Sequence, residues 1–432
     1  MKDENNLYWI WLSEKFGIAS KDFPRFAEKY DDPYDVYRLE NDEIEQLEGV
    51  SERLKTRLSE KSLEGAYSIL KYCRKYGIEI IGYSDKRYPS RLKTIENPPV
   101  LLYCLGKLPN MDSRLCIGMV GTRKMSEYGK QTAYKISYEL GASNVCVVSG
   151  MALGVDGVCA CGALESGGVT VAVLGCGISI TYPKEHAKLM RAISKQGAVI
   201  TEYPPFERPN PGNFPKRNRI ISGLCQGVLV VEGAKGSGAL ITASRAISQG
   251  RELFALPGKI NESNSEGPND LIKNGANVAL SATDIINHYD FLYHDTIDYR
   301  GLSWARKRSE FDEKILKKYG VSSVYYRGRY VPAEEKRQTA ETEFELSSAE
   351  PAVVEPPKNQ PVPAKADRSE AIFESLDDST KKIFGLIPDG VMFTPDAVSA
   401  HGIDIGEVIT ALTMLEISGL VASLPGGLYI KK

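Results

Sequence analysis

Lys216, Arg217 and Arg219 stand in the stretch NFPKRNRIISGL, which runs from Asn213 to Leu224 and leads into the apolar pair Ile220-Ile221. Packing a core does not need three cations in four positions at one end of a helix. Their chemistry is the holding of an anion, or the pairing of carboxylates such as Glu202 and Glu232 that would fix loops; both uses are open for this helix. Related residue types recur after other apolar runs. Gly121, Thr122 and Arg123 follow LCIGMV and precede a helix capped by Ser126. Gly150 and Gly154 follow VCVVS, with Asp156 in the first turn beyond them, where a capping carboxylate and a functional one are equally open. Lys184 begins the helix after CGISITYP, and Gly236, Ser237 and Gly238 precede a helix that contains Thr242. A helix N-terminus carries unpaired N–H groups and a partial positive charge, and glycine lets a backbone approach a ligand closely. One such turn says little. Their recurrence after successive strands predicts a rim that holds phosphate along a backbone.

Several chemistries lack their residues. There is no nucleophile-elbow GxSxG, no Walker lysine motif and no close carboxylate pair. The eight cysteines include no CxxC pair, and with four histidines, none paired with a thiol, no metal site is expected. The cysteines read as buried, reduced thiols, and His186, beside Lys184, as a surface or capping residue. The rim therefore reads as a binding site without catalytic residues, cofactor or metal. The competing enzyme reading is a Rossmann fold that hydrolyses nucleotides, for which Asp156 or Glu232 would have to stand over a ribose. Tyr182, Tyr203 and Phe214 lie near the rim as possible base-stacking rings, with Tyr203 read as packing against the sheet edge.

The elements that must position these residues follow from periodicity. The chain has 432 residues and a formal net charge of -2, so a polyanion must be met by a local patch. The first residues are acidic and the apolar run behind them is short, so neither a signal peptide nor a membrane span is expected, and the protein reads as cytoplasmic. Residues 1–77 read as a helical module with the outline of a helix-hairpin-helix around Gly49. Residues 78–285 alternate short apolar runs, IEIIGY to ANVAL, with helical stretches. That pattern predicts an α/β domain with a mostly parallel sheet covered on both faces, its ligands beyond the strands' carboxyl ends. Residues 286–340 are rich in aromatics and charge and have no assigned role, and 341–370 read as a Pro- and Glu-rich linker. Residues 371–432 read as a winged helix of three helices and a hairpin. Its third helix carries Asp404, Glu407 and Glu416 and no Lys or Arg, which favours contact with protein over DNA.

The stretches MVGTRKMSEYG, VSGMALGVDG, AVLGCGISITYPKEH, PGNFPKRNRIISGL and GSGALITA resemble, in order, the motif series of the DNA-processing protein A family, also called Smf. The resemblance spans roughly residues 80–285, and the helical module and winged helix match that family's layout. It implies an extended Rossmann fold that binds single-stranded DNA, forms a homodimer through the Rossmann domain, and loads RecA recombinase onto the strand in natural transformation and recombination. Arg123 corresponds to the arginine of the family's Gly-Ser-Arg turn, with Thr122 in place of serine. Lys184 corresponds to the lysine after Tyr-Pro, and His186 replaces an asparagine.

Overall fold

The computed structural model describes residues 2–321, 378–387, 393–399, 401–418, 420–424 and 428–431. They belong to two compact units, divided between Ala333 and Glu334.

The first unit begins with six helices: α1 (Lys2–Phe16), α2 (Phe23–Lys29), α3 (Pro33–Arg38), α4 (Asn41–Glu45), α5 (Glu52–Ser59) and α6 (Glu64–Lys75). Local chemistry sets their starts. Asp32 and Ser51 accept N–H groups of the following turns, and Glu40 and Glu43 form a reciprocal capping box. Gly49 takes a positive φ of 70° in the turn between α4 and α5. The apolar faces close over Ile10, Trp11, Phe23, Ile44 and Leu58, all buried. This core runs on into the sheet, because the ring of Trp9 occupies the space where a side chain at Gly82 would lie.

All nine apolar runs form strands: β1 (Ile78–Gly82), β2 (Leu101–Gly106), β3 (Cys116–Val120), β4 (Cys146–Ser149), β5 (Thr170–Val173), β6 (Ala198–Thr201), β7 (Gly227–Val230), β8 (Glu252–Ala255) and β9 (Asn277–Val278). Their order across one sheet is β1-β2-β6-β5-β4-β3-β7-β8-β9. Strands β3 to β9 are parallel, and β1 and β2 extend the β6 edge antiparallel. The short α7 (Ser90–Lys93) lies between β1 and β2. The parallel strands are joined through α8 (Glu127–Ala142), α9 (Val155–Glu165), α10 (Ala187–Gln196), α11 (Asn213–Leu224), α12 (Gly238–Ser248) and α13 (Ser263–Lys273). Alternate strand residues feed two separate cores. Ile117, Met119, Val147 and Leu229 pack with α8, α9 and α10. Val120, Val148, Val173 and Val228 pack with α11 and α12. The strands are apolar on both faces because both are covered.

This topology creates one singular place. From β3 the chain steps outward through β4, β5 and β6, and then returns to lay β7 on the other side of β3. The helices that leave β3 and β7 therefore go to opposite faces, and the ends of these two strands bound a crevice.

Beyond the sheet, α14 (Ala282–Tyr293) runs across the boundary expected at 285–286, and packs on α8. It is followed by α15 (Tyr299–Arg306) and α16 (Glu313–Tyr319), so the stretch without an assigned role is helical as far as it is described. The linker expected at 341–370 lies outside the described residues. In the second unit, α17 (Asp378–Leu386), α18 (Pro395–Ser399) and α19 (Ile405–Ile417) precede an antiparallel pair, β10 (Val421–Leu424) and β11 (Leu428–Lys431). Ile383, Val398, Val408, Leu412 and Leu415 form its own core; the side chains of Ile405 and Ile409 lie outside the described residues.

Candidate functional site

The crevice at β3 and β7 is a groove of about 390 Å³. Gly121, Thr122 and Arg123 form one wall, and Ser237, Gly238 and Thr242 of the α12 start form the other. Arg217 and Asn218 of α11 line it between them. The walls are tied together. Glu232, just beyond β7, accepts the Ser126 N–H at 2.8 Å and the Ser126 hydroxyl, and its carbonyl accepts the Thr122 N–H at 2.8 Å. Ser126 in turn caps α8 by accepting the Gly129 N–H at 3.0 Å. A side chain at Gly129 would collide with the Glu232 carboxylate, so the glycine is needed for the tie.

The turn after β4 packs beneath this wall. Gly154 has a φ of 79°, and a Cβ there would run into the Thr122 carbonyl, which accepts the Val155 N–H at 3.2 Å. Asp156 accepts the N–H of Gly150 at 3.0 Å and of Ala152 at 3.4 Å, and so holds its own turn. Burial pushes its carboxyl above the usual range, and the Arg217 guanidinium pulls against that shift. Both carboxylates that a hydrolytic chemistry would require are thus engaged by backbone and serine donors.

The cations divide sharply. Arg217 is buried and donates to the carbonyls of Gly150, at 2.8 Å, and Val173, and to the Asn218 side chain. Arg219 is buried and paired with Glu202 at 2.5 Å. The expectation that Arg219 lies on the binding rim is therefore corrected: α11 turns it under the loop after β6, where a buried carboxylate needs a counter-charge. Arg217 stays on the groove but is held by protein carbonyls. Lys216 is exposed at the start of α11. Arg123 and Lys184 are also exposed, and among the described residues none of these three has an ion-pair partner. Lys184, Lys216, Gly154 and Gly236 do not line the groove itself. Gly150 lines an adjoining recess with Arg123, Arg217 and Phe214.

Phe214 is the centre of that recess. The Arg123 guanidinium lies 5.5 Å from its ring centre, that of Arg217 5.9 Å, and the Tyr182 ring 5.4 Å. Tyr203 is buried and donates its hydroxyl to the Asn213 carbonyl at 3.2 Å, as the packing reading required. Asn218 reaches the Gly238 carbonyl at 3.4 Å. The Ser237 hydroxyl is buried on the groove wall without a hydrogen-bond partner among the described residues. The first N–H groups of α12 beside it have no partner within the helix.

His186 stands at the N-cap position of α10 without a side-chain cap hydrogen bond, and its surface reading is corrected. It is fully buried rather than at the surface: its Nδ1 lies 3.0 Å from the Met151 carbonyl, and its ring fills the space that a side chain at Gly157 would need. Sequence reasoning missed Ile241, an exposed apolar residue in the first turn of α12 that lines the groove. The signal was present, since Ile241 stands between Leu240 and Thr242 in a helix whose inner face is small. All eight cysteines are buried and unpaired. Among the described residues there is no cluster of His, Cys, Asp or Glu that could hold a metal ion, and no helix long and apolar enough to cross a membrane.

Comparison with known proteins places this geometry. Residues 79–290 match the family described as DNA recombination-mediator protein A. The DNA processing protein DprA of Bacillus subtilis is 40% identical over 217 residues, which are 50% of this chain and 73% of that one. The protein Smf of Synechocystis is 28% identical over 436 aligned residues, covering 100% of both chains. The crystal structure of DprA from Streptococcus pneumoniae superposes with a TM-score of 0.57 at 32% identity, over 65% of this chain and 97% of that one.

Proposed function

The chain belongs to the DNA recombination-mediator protein A family, and from that premise we propose that its groove holds the backbone of single-stranded DNA. The observation that carries the reading is the fixed groove at the β3–β7 crevice. It is lined by glycine turns, a helix N-terminus and a hydroxyl unpartnered among the described residues, with Arg123 exposed at its edge and, among the described residues, without an ion-pair partner. Such a surface reads phosphate and not sequence. Lys184 and Lys216 extend it as exposed point charges, Gly121, Gly236, Ser237 and Gly238 supply backbone approach and donors, and Thr122 and Gly150, whose N–H groups are held by Glu232 and Asp156, fix the turns that carry them. Phe214 and Tyr182 offer rings on which a base can stack, worth about 1–3 kcal/mol per base. Arg217 shapes the recess from below. Engagement of Asp156 and Glu232 by internal donors supports a binding role over hydrolysis of nucleotides.

Loading of RecA recombinase, a role in natural transformation and a cytoplasmic site of action follow from the family resemblance. A homodimer through the Rossmann-like sheet is supported by Val278 and Leu280 at the β9 edge, 46% and 67% exposed. The helix order and hairpin of the second unit support the winged-helix reading, and the exposed acidic residues of α19 support a protein partner for it.

The decisive experiment replaces Arg123 and Lys184 by Ala together. Affinity for oligonucleotides of different sequence should fall alike, and the salt dependence should flatten, because fewer counterions are released. Binding equal to that of the parent would place the site elsewhere. Duplex of equal length, added as competitor at fixed salt, should displace a bound single strand poorly.

A further inference from the structure

The sequence left residues 286–340 without a role, and the structure shows what their described part builds. Residues Tyr299–Val321 form a strap across the outer surface of the helical layer: α15 packs on α8, and α16 packs on α9 and α10. The strap is pinned by specific contacts. At its start the Asp298 N–H donates to the Ser143 carbonyl at 3.0 Å and the Asn144 side-chain amide donates to the Thr296 carbonyl at 2.8 Å. The Ser309 hydroxyl donates to the buried Glu139 at 3.1 Å. Phe311 meets Tyr134 edge-on at 5.3 Å, and Glu313 pairs with the buried Lys130 at 2.8 Å. Trp304 stacks on Tyr138 with 15° between the planes. At its far end Val321 packs beside His186, and Gly320 lies on the Glu185 carbonyl, next to Lys184. The strap is therefore a fixed part of the first unit and ends beside the proposed phosphate rim.

Its charge is unlike that of the chain. Tyr299–Val321 carries seven Lys or Arg against three Asp or Glu, in a protein of net charge -2. Two of the three acids are used internally: Asp312 caps α16 and Glu313 neutralises Lys130. The third, Glu310, lines a groove of about 460 Å³ together with Lys135 of α8 and Arg306 and Lys307 of the strap. Among the described residues, Lys135, Arg300, Lys307, Lys314 and Lys317 are exposed and have no ion-pair partner. Lys318 pairs with Glu165, and Arg308 lies over the half-exposed Trp304 ring at 4.7 Å. Between this groove and the site runs the first half of α8. Tyr128, Gln131 and Lys135 are exposed at helical spacing along one face of α8, Lys124 is exposed in the turn before its cap, and Lys135 lies about 13 Å along the helix from the Ser126 cap at the groove wall. The one acid on that face, Glu127, is paired with Lys130 at 2.8 Å.

We propose that this strap is a second contact for nucleic-acid backbone, taking a single strand as it leaves the β3–β7 groove over the exposed face of α8. The proposal rests on the reading of the groove given above. It explains why a chain without excess positive charge gathers cations on one added segment and spends two of that segment's three acids on its own structure. Local positive potential is what a flexible polyanion follows.

The test uses the full chain with Lys135, Lys307, Lys314 and Lys317 all replaced by Ala, against a hexathymidylate and an oligothymidylate of about thirty residues, at several salt concentrations. The short strand, which fits the groove alone, should bind as to the parent. The long strand should lose about tenfold in affinity, with its salt slope reduced by roughly 2 to 3. Arginine at the same four positions should restore both. Unchanged binding of the long strand overturns the proposal, and so does an equal loss for both lengths, which would show a diffuse field rather than a path. The Arg123 and Lys184 double variant separates this from the groove itself. If that variant keeps its affinity for the short strand, the groove reading fails, whatever the strap variant shows.

Discussion

The loops after β3 and β7 and those after β5 and β6 are built from the same materials, glycine, proline and cations at one edge of one sheet, and they come to opposite ends. After β5 and β6 the loops zip onto each other. Ser179 donates backbone N–H and hydroxyl to the Pro205 carbonyl, the Gly177 N–H goes to Glu207, and Thr201 donates to the Cys176 carbonyl. Phe206 then meets Tyr72 of α6 at 4.5 Å, so the helical module caps this side. After β3 and β7 the chain leaves toward opposite faces, and the same residue types line an open groove. Topology decides which glycines are closed in by packing and which line the groove, and which cations are spent inside.

The largest expected effect lies on the closed side. Arg219→Ala strands Glu202 in the interior and should cost about 3–5 kcal/mol, read as a drop in denaturant midpoint. Replacing the pair by Met and Leu should recover much of that loss. Should Arg219→Ala instead leave stability intact and weaken DNA binding, the division between the two sides is drawn in the wrong place. Next comes a contrast of two glycines. A Cβ at Gly177 would strike the Pro204 and Pro205 carbonyls, so Gly177→Ala should destabilise by about 1–3 kcal/mol. A Cβ at Gly238 meets nothing within 4 Å. Gly238→Ala should therefore shift stability by less than about 0.5 kcal/mol while weakening oligonucleotide binding, the reverse of Gly177→Ala.

A smaller effect is expected from the second unit. If the groove, the rim that Lys184 and Lys216 extend and the strap are the whole binding surface, deleting residues 371–432 should change oligothymidylate affinity by less than about tenfold, or about 1.4 kcal/mol. A greater loss would add a third region to the comparison. Smallest is a pH effect from His186, buried on the closed side. Burial lowers its imidazole from the usual 6.5. Above that pH both folded and unfolded forms are neutral. As pH falls below it, the unfolded chain takes a proton that the folded one refuses, so stability is lost between 6.5 and the lowered value. His186→Gln should flatten this stretch of the stability curve, and an unchanged curve would move the titrating group elsewhere.

Strands were the most legible part of the sequence, because a strand buried on both faces is a continuous apolar run and each run here ends in a glycine or a turn. Their order in the sheet was not legible, since β7 pairs with β3 across more than a hundred residues. The same limit explains the cations. Lys216, Arg217 and Arg219 are adjacent in sequence, but helical geometry points them in different directions, and only the fold brings Glu202 under one and the Gly150 carbonyl under another. Glu202 could be named as a partner from sequence, though not told from Glu232. His186 was misread because what buries it, Val321 and Gly157, comes from the strap and from α9, both far from it in the chain.

The double hold of Glu232 on Ser126 has a consequence in time rather than in energy. A groove whose walls are already tied needs no closing step when a strand arrives, and little ordering is left for the encounter to supply. Capture should then proceed as fast as charge steers the strand to the wall, with a rate that salt slows and a single exponential course. Cutting the tie with Glu232→Gln would insert a slow rearrangement before binding, visible as a rate that stops rising with oligonucleotide concentration.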